Sequence, residues 1–194
     1  MIRLGILGSG SGSNMQAILD AVAAGDLSAE IALVLSDIPD AYILQRAAQA
    51  GLPAGLINCR GFKSKFPEEA QHETADALRQ SGVELVCLAG FMRLLGAPLL
   101  HAFAGRIINI HPSLLPSFPG LHAWTQAVEA GAPESGCTVH YVDAGMDTGP
   151  IISQAMVPVL PDDTPESLHA RIQVEEHRIY PEAIAKVATS LRSG

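Results

Sequence analysis

Ile2-Arg-Leu-Gly-Ile-Leu7, then Gly8-Ser-Gly-Ser-Gly-Ser-Asn14, then Met15-Gln-Ala-Ile-Leu-Asp-Ala-Val-Ala-Ala24 is the stretch whose reading decides the fold. A short β-rich run empties into glycines and serines. Apolar residues then return at Ile18, Leu19 and Val22, a helical spacing that stops at Gly25. The alternation continues along the chain. Ile31 to Leu35 reads as a strand, Ala41 to Ala50 as a helix stopped by Gly51, and Ala54 to Ile57 as a short strand. Pro67 to Gln80 is polar and helix-compatible, and Val83 to Ala89 is a strongly apolar strand. A helix around Pro98 to Phe103 leads into a strand at Arg106 to Ile110, and Trp124 to Ala130 reads as a helix. Thr138 to Val142 and Ile151 to Met156 follow as two closely spaced strands. Thr164-Pro-Glu-Ser167 starts a helix with Pro at its first turn, and the amphipathic pattern to about Leu191 is one long helix or two in series. Continuous apolar strands separated by helices predict an α/β fold: a doubly wound, mostly parallel sheet with helices on both faces and a Rossmann-like N-terminal half. Without repeats, low-complexity segments or a linker, residues 1–194 read as one domain.

Composition narrows the function. With 48% hydrophobic and 16% charged residues the chain is expected to fold compactly. A net charge of -8 argues against a general nucleic-acid or anionic-membrane surface, although one loop can still bind a small anion against the global sign. Cys59, Cys87 and Cys137 form no CxxC and read as reduced structural residues in a reducing compartment. No apolar stretch approaches the ~20 residues that span a bilayer. The N-terminus enters a strand at once without a signal-peptide layout, so the expected location is cytoplasmic.

Three residues carry the chemistry. Asn109 and His111 close one apolar strand, and Asp147 lies in the Gly-rich loop Asp143-Ala-Gly-Met-Asp-Thr-Gly-Pro150 after another. An amide donor, an imidazole and a carboxylate at strand ends can move an acyl group between nucleophiles. Strand carboxyl ends are also where such folds bind ligands. The segment from Asn109 to His122, with two histidines and three prolines, is a rigid irregular loop that a core would not need. His111, His122 and His140 match no compact metal motif. Asp147 could simply shape a turn, and Asp143 rivals it for the functional carboxylate; Asp147 is preferred, because Asp143 follows the strand directly and could only cap its end. The loop Gly8 to Asn14 suits a phosphate monoester at a helix N-terminus, or is a tight turn with Ser13 as N-cap. It is neither a P-loop nor a GxGxxG, and Asp37 is the one acidic candidate for a dinucleotide ribose. No GxSxG elbow or catalytic-cysteine context suggests a covalent acyl-enzyme.

The combination of Gly10-Ser-Gly-Ser-Asn14, Leu88-Ala-Gly-Phe-Met-Arg-Leu-Leu95, Asn109-Ile-His-Pro-Ser-Leu-Leu-Pro116 and Met146-Asp-Thr-Gly-Pro150 resembles the phosphoribosylglycinamide formyltransferase family. Ala170-Arg-Ile-Gln-Val-Glu-Glu-His177 and Tyr180-Pro181 fit as well, and the likeness runs from about residue 2 to residue 188. The resemblance implies transfer of a formyl group from 10-formyltetrahydrofolate, as co-substrate, to the amine of glycinamide ribonucleotide in purine synthesis, without a metal. It implies a catalytic triad of Asn109, His111 and Asp147. Gly12, Ser13 and Asn14 would hold the ribonucleotide phosphate, with Arg171 and Glu176 as further ribonucleotide contacts. Met92, Arg93, Leu94 and Leu95, with Asn109, His140, Val142 and Asp143, would line the folate pocket. Lys65 stands where the family carries Arg near the folate tail, which keeps the charge and loses the bidentate fork.

Three related readings compete. Formyltetrahydrofolate hydrolases carry an added N-terminal regulatory domain and methionyl-tRNA formyltransferases an added C-terminal one, and this chain is expected to hold neither. A folate- or nucleotide-binding sensor on the same fold would need no intact triad. Small-molecule substrates are therefore the expected partners, without nucleic acid or membrane, and an apolar helix face could serve a homodimer.

Overall fold

The computed structural model describes residues 1–63 and 65–193. In chain order the elements are β1 (Ile2–Leu7), α1 (Ser13–Ala24), β2 (Ala29–Ser36), α2 (Tyr42–Gln49), β3 (Ala54–Leu56), α3 (Glu68–Gln80) and β4 (Leu85–Leu88). They continue with α4 (Ala97–Ala102), β5 (Ile107–His111), α5 (Ala123–Glu129), β6 (Glu134–Tyr141), β7 (Ile151–Pro158) and α6 (Pro165–Ser193). One seven-stranded sheet has the order β3-β2-β1-β4-β5-β6-β7. The β1–β2, β1–β4, β2–β3 and β4–β5 pairs are parallel, and β6 and β7 join antiparallel. The expected α/β fold with a mostly parallel sheet is therefore present, with an antiparallel edge.

The apolar strands bury both faces, as their unbroken hydrophobicity requires. In β4, Leu85 and Cys87 join a core layer formed with α1, α2, α5 and α6. Val86 and Leu88 join the opposite layer against α3 and α4. The same alternation sends Leu4 and Ile6 of β1 to the first layer and Leu7 to the second. All three cysteines are buried and free.

Several boundaries differ from the sequence expectation, the start of β6 by the most and for a tertiary reason. β6 starts at Glu134, four residues before the expected Thr138, because Glu134, Ser135, Gly136 and Cys137 pair with Pro158, Val157, Met156 and Ala155. Glycine and small polar residues have weak strand propensity, and the ladder overrides it. β5 likewise extends to His111, which pairs with Thr138.

The long C-terminal pattern is a single helix that runs through Pro181. Its Tyr180 is fully buried and donates a hydrogen bond of 2.8 Å to the Leu88 carbonyl at the end of β4. Helix and sheet are thus pinned together just beneath the strand ends. Tyr180→Phe leaves that buried carbonyl short of its donor and is expected to cost about 1–3 kcal/mol. The measurement is the urea midpoint at unchanged m, and an unchanged midpoint would refute the pinning role.

Candidate active site

The loop after β1 is held in place by backbone and side-chain bonds from three neighbours. The Ile43 amide donates to the Gly10 carbonyl at 3.1 Å, and Arg46 Nε donates to the Ser11 carbonyl at 2.9 Å. The Ser9 amide donates to the Gly90 carbonyl at 3.0 Å. Gly12 caps α1 with a φ of 71°, where a Cβ would also strike Ile43. Ser13 is the first helical residue, so it is not the N-cap, and no side chain caps the helix. The first-turn amides of α1 are therefore left for an anion. Behind them Asn14 Nδ2 donates to Glu176 Oε2 at 3.0 Å, and Asn14 Oδ1 is buried without a partner. Burial pushes the Glu176 carboxyl up to about 7, against the stabilising bond from Asn14.

Asp37 and Arg93 form the buried anchor of this region. Arg93 Nε donates to Asp37 Oδ2 at 2.6 Å, both side chains being almost fully buried. The same guanidinium donates to the carbonyls of Phe62 and Lys65, at 2.9 and 2.6 Å. Ser9 Oγ donates to Asp37 Oδ1 at 2.5 Å and accepts the Met92 amide at 2.9 Å. Asp37 is thus engaged inside the protein and presents no free carboxylate to a ribose.

Sheet register assembles the reactive group. Asn109 of β5 stands opposite His140 of β6, and Asn109 Nδ2 lies 3.3 Å from His140 Nε2. His140 Nδ1 is 2.9 Å from the Tyr141 carbonyl, which can only accept, so Nδ1 carries a proton, while Nε2 lies between Asn109 Nδ2 and the Asp147 carboxylate. His111 Nε2 is 3.0 Å from the Phe118 carbonyl and its Nδ1 is 3.4 Å from Asp147 Oδ2. Both ring nitrogens of His111 face acceptors, an arrangement that suits the imidazolium. Asp147, at a φ of 55°, also accepts the Gly120 amide at 2.9 Å and lies 3.6 Å from His140 Nε2. Burial opposes its ionisation, and the adjoining His140 ring, the Gly120 amide and the His111 charge together hold its carboxyl below the ordinary range. Asp143, the rival carboxylate, is exposed and accepts from Gly145 N and Thr148 Oγ1, shaping its own turn.

Two adjoining cavities meet at this group. The larger, of about 520 Å³, is lined by Gly10 to Asn14, Met92, Arg93, Leu94, Asn109, His111, Asp147 and Glu176, among others. The smaller, of about 80 Å³, is lined by Arg93, Leu94, Leu95, Asn109, His140, Val142, Asp143 and Asp147, with Leu88, Phe91 and Gly145. Phe91, Arg93, Leu94, Asn109 and Asp147 belong to both walls. Two residues expected here lie elsewhere. Arg171 is paired with Asp163 at 2.5 Å and donates to the Pro158 carbonyl. Lys65 holds its ammonium 5.7 Å from the Phe62 ring centre.

The sequence pattern of the formyl transferase family matches residues 2–184. The chain belongs to the formyl transferase family. Phosphoribosylglycinamide formyltransferase of Bacillus subtilis is 42% identical over 96% of this chain and 95% of its own length. The crystal structure of glycinamide ribonucleotide transformylase 1 from Symbiobacterium toebii superposes with a TM-score of 0.91 at 55% identity, over 95% of this chain and 86% of that one. The trifunctional purine biosynthetic protein adenosine-3 of Drosophila melanogaster is 51% identical over 94% of this chain, which spans only 14% of that relative's length.

Within this formyl transferase fold, sequence reasoning passed over Phe91, Trp124, His169 and Gln173, all of which line the larger cavity. His169, Gln173 and Glu176 follow an i, i+4, i+7 spacing on α6, a signal that would have extended the reading from Glu176. Nothing in the sequence brings Trp124 to them. Among the described residues no group of three or more His, Cys, Asp or Glu side chains is arranged to hold a metal ion.

Asp37→Ala strands a buried guanidinium and is expected to destabilise the protein by about 3–5 kcal/mol, read by denaturant unfolding; a loss under about 1 kcal/mol would contradict the anchoring role. Glu176 gives a pH signature. Its folded pKa, about 7, lies above the ordinary carboxyl value, so the unfolded chain loses its proton first and stability declines as pH rises from about 4.5 to 7. Glu176→Gln keeps an acceptor for Asn14 and removes that decline. Its unfolding midpoint relative to the unmodified protein is expected to climb across the window, and a parallel offset at every pH would refute the assignment.

Proposed function

We propose that residues 1–194 act as a single formyltransferase domain that moves the formyl group of 10-formyltetrahydrofolate to the amine of glycinamide ribonucleotide. The products are N-formylglycinamide ribonucleotide and tetrahydrofolate. The observation that carries this reading is the wall shared by the two cavities. Asn109 and Asp147 line both, one beside the uncapped amides of α1 and the other against β5 and β6. Two substrates held on opposite sides of that wall would meet at these side chains. The family names borne by the relatives in Bacillus subtilis and Symbiobacterium toebii support the same substrate.

In the proposed reaction the ribonucleotide phosphate sits on the amides of Ser13 and Asn14, and Glu176 accepts from the substrate beyond them. The folate ring occupies the smaller cavity beside Leu95, His140 and Val142. The amine nitrogen attacks the formyl carbon, a C–N bond forms, and the carbonyl pair moves onto oxygen. Asn109 keeps one amide hydrogen on His140 and donates the other to the oxyanion. His111, kept cationic by Asp147, adds positive charge at the same place. A water held by Asp147 takes the proton of the new ammonium and delivers it to the folate nitrogen, whose bond to carbon then breaks. Arg93 contributes backbone and aliphatic surface to the pocket, because its guanidinium is engaged with Asp37.

The test is a formyl-transfer assay with both substrates on the intact chain. Loss of one oxyanion donor in Asn109→Ala is expected to lower kcat by roughly 10²–10³. His111→Ala and Asp147→Asn are expected to fall at least as far. Full activity in His111→Ala would overturn the mechanism. Formate release without the amine would replace transfer by hydrolysis, and binding of both ligands without turnover would mark a sensor.

A further inference from the structure

Phe118, Gly120 and His122 precede α5 with φ values of 53°, 79° and 55°. Phe and His enter this left-handed region only where their surroundings hold them there. The segment touches both members of the reactive ion pair. The Phe118 carbonyl accepts from His111 Nε2, and the Gly120 amide donates to Asp147 Oδ2. It therefore fixes the direction of each side chain through one backbone contact. Gln126 Nε2 braces the segment by donating to the carbonyls of Pro119 and Leu121, at 3.1 and 2.9 Å.

That brace is only as firm as α5, a seven-residue helix too short to persist without tertiary contacts. Ala123 and Ala127 seat it on the core, and an aromatic contact adds a second anchor. The Trp124 ring lies on the His169 ring of α6 with centroids 3.8 Å apart and planes 8° apart, and His122 meets Trp124 edge-on at 5.8 Å. Burial holds the His169 ring below the ordinary histidine range, so it stacks as a neutral ring near pH 7. His169 shares its helix face with Gln173 and Glu176, and all three line the larger cavity.

We propose that the Trp124–His169 stack is a latch that holds residues 118–122 against α6 and thereby orients His111 and Asp147. Trp124 and His169 are positioning residues, acting through the Phe118 carbonyl and the Gly120 amide. The latch also joins the orientation of the ion pair to the helix that carries Glu176, so the ribonucleotide side of the cavity and the reactive side share one support. The kinetic part of the proposal rests on the formyl-transfer reading, and the spectroscopic part does not.

The test compares His169→Ala and Trp124→Ala with His169→Phe, which keeps a flat ring for the stack and removes the ring nitrogens. In ¹⁵N spectra of the unliganded protein, the Gly120 amide is expected to shift in both alanine variants and to return in His169→Phe. In the formyl-transfer assay, kcat is expected to fall about tenfold to a hundredfold in the alanine variants, with KM for glycinamide ribonucleotide changed by less than about threefold. His169→Phe is expected to recover kcat. A Gly120 amide unmoved in both alanine variants overturns the latch, and so does a His169→Phe protein that behaves like His169→Ala. If the amide shifts and returns as expected while even the unmodified protein transfers no formyl group, the latch stands and the functional reading fails.

Discussion

The buried Asp37–Arg93 pair is the constraint around which the ligand-facing end of the sheet is organised. Its carboxylate follows β2 and its guanidinium follows β4, while the guanidinium also takes the carbonyls of Phe62 and Lys65. Ser9, after β1, closes the network by donating to Asp37 and accepting the Met92 amide. Loops after four different strands are therefore tied to one charge pair. Such a pair adds little net stability over an apolar replacement, because desolvation offsets most of the attraction. It does penalise any arrangement in which one partner is left alone, and that penalty selects a single geometry for the loops. The Gly-rich turn before α1 and the Met92 to Leu95 wall owe their relative placement to it.

A second constraint comes from the sheet itself. The first five strands are parallel, and their carboxyl ends collect the loops at one edge. β6 then reverses direction and pairs antiparallel with β5, so that Asn109 faces His140 across the ladder. Tyr141 pairs with Ile108 and the Val142 amide donates to the Ile107 carbonyl, so the Asp143 to Pro150 loop leaves β6 beside the start of β5 and folds back to reach His111. That return brings Asp147 Oδ2 to 3.4 Å from His111 Nδ1, while the ladder sets His140 Nε2 3.3 Å from Asn109 Nδ2. The ladder thus supports the amide donor, and the returning loop completes the reactive ion pair.

Much of this was legible before any coordinates. The helical spacing of Ile18, Leu19 and Val22, and the unbroken apolar run around Val86, are local signals of how each segment meets its core, and both core layers follow from them. The ends of β1 and α3 fall within a residue of their expected places. Glu134 to Cys137 were missed as strand because their propensity is weak and only the β7 ladder makes them extended. At the site, Asn109, His111 and Asp147 do come together. Charged residues were harder to read, since a charge in a sequence has no address: Arg93 could have met a ligand or a protein carboxylate, and it meets Asp37. Arg171 turns to Asp163 for the same reason.

What the sequence determined by itself is the alternation of elements, the α/β class and the identity of the groups available for acyl transfer. Those depend on periodicity and on side-chain chemistry, which are local. Which carboxylate faces His111, which cations are engaged within the protein, and the stacking of Trp124 on His169 were decided only by tertiary structure. Apart from Arg171 and Asp163, eight positions apart, each is a contact between residues distant in the chain, and its partner is chosen by where the sheet register and the buried ion pair leave the backbone.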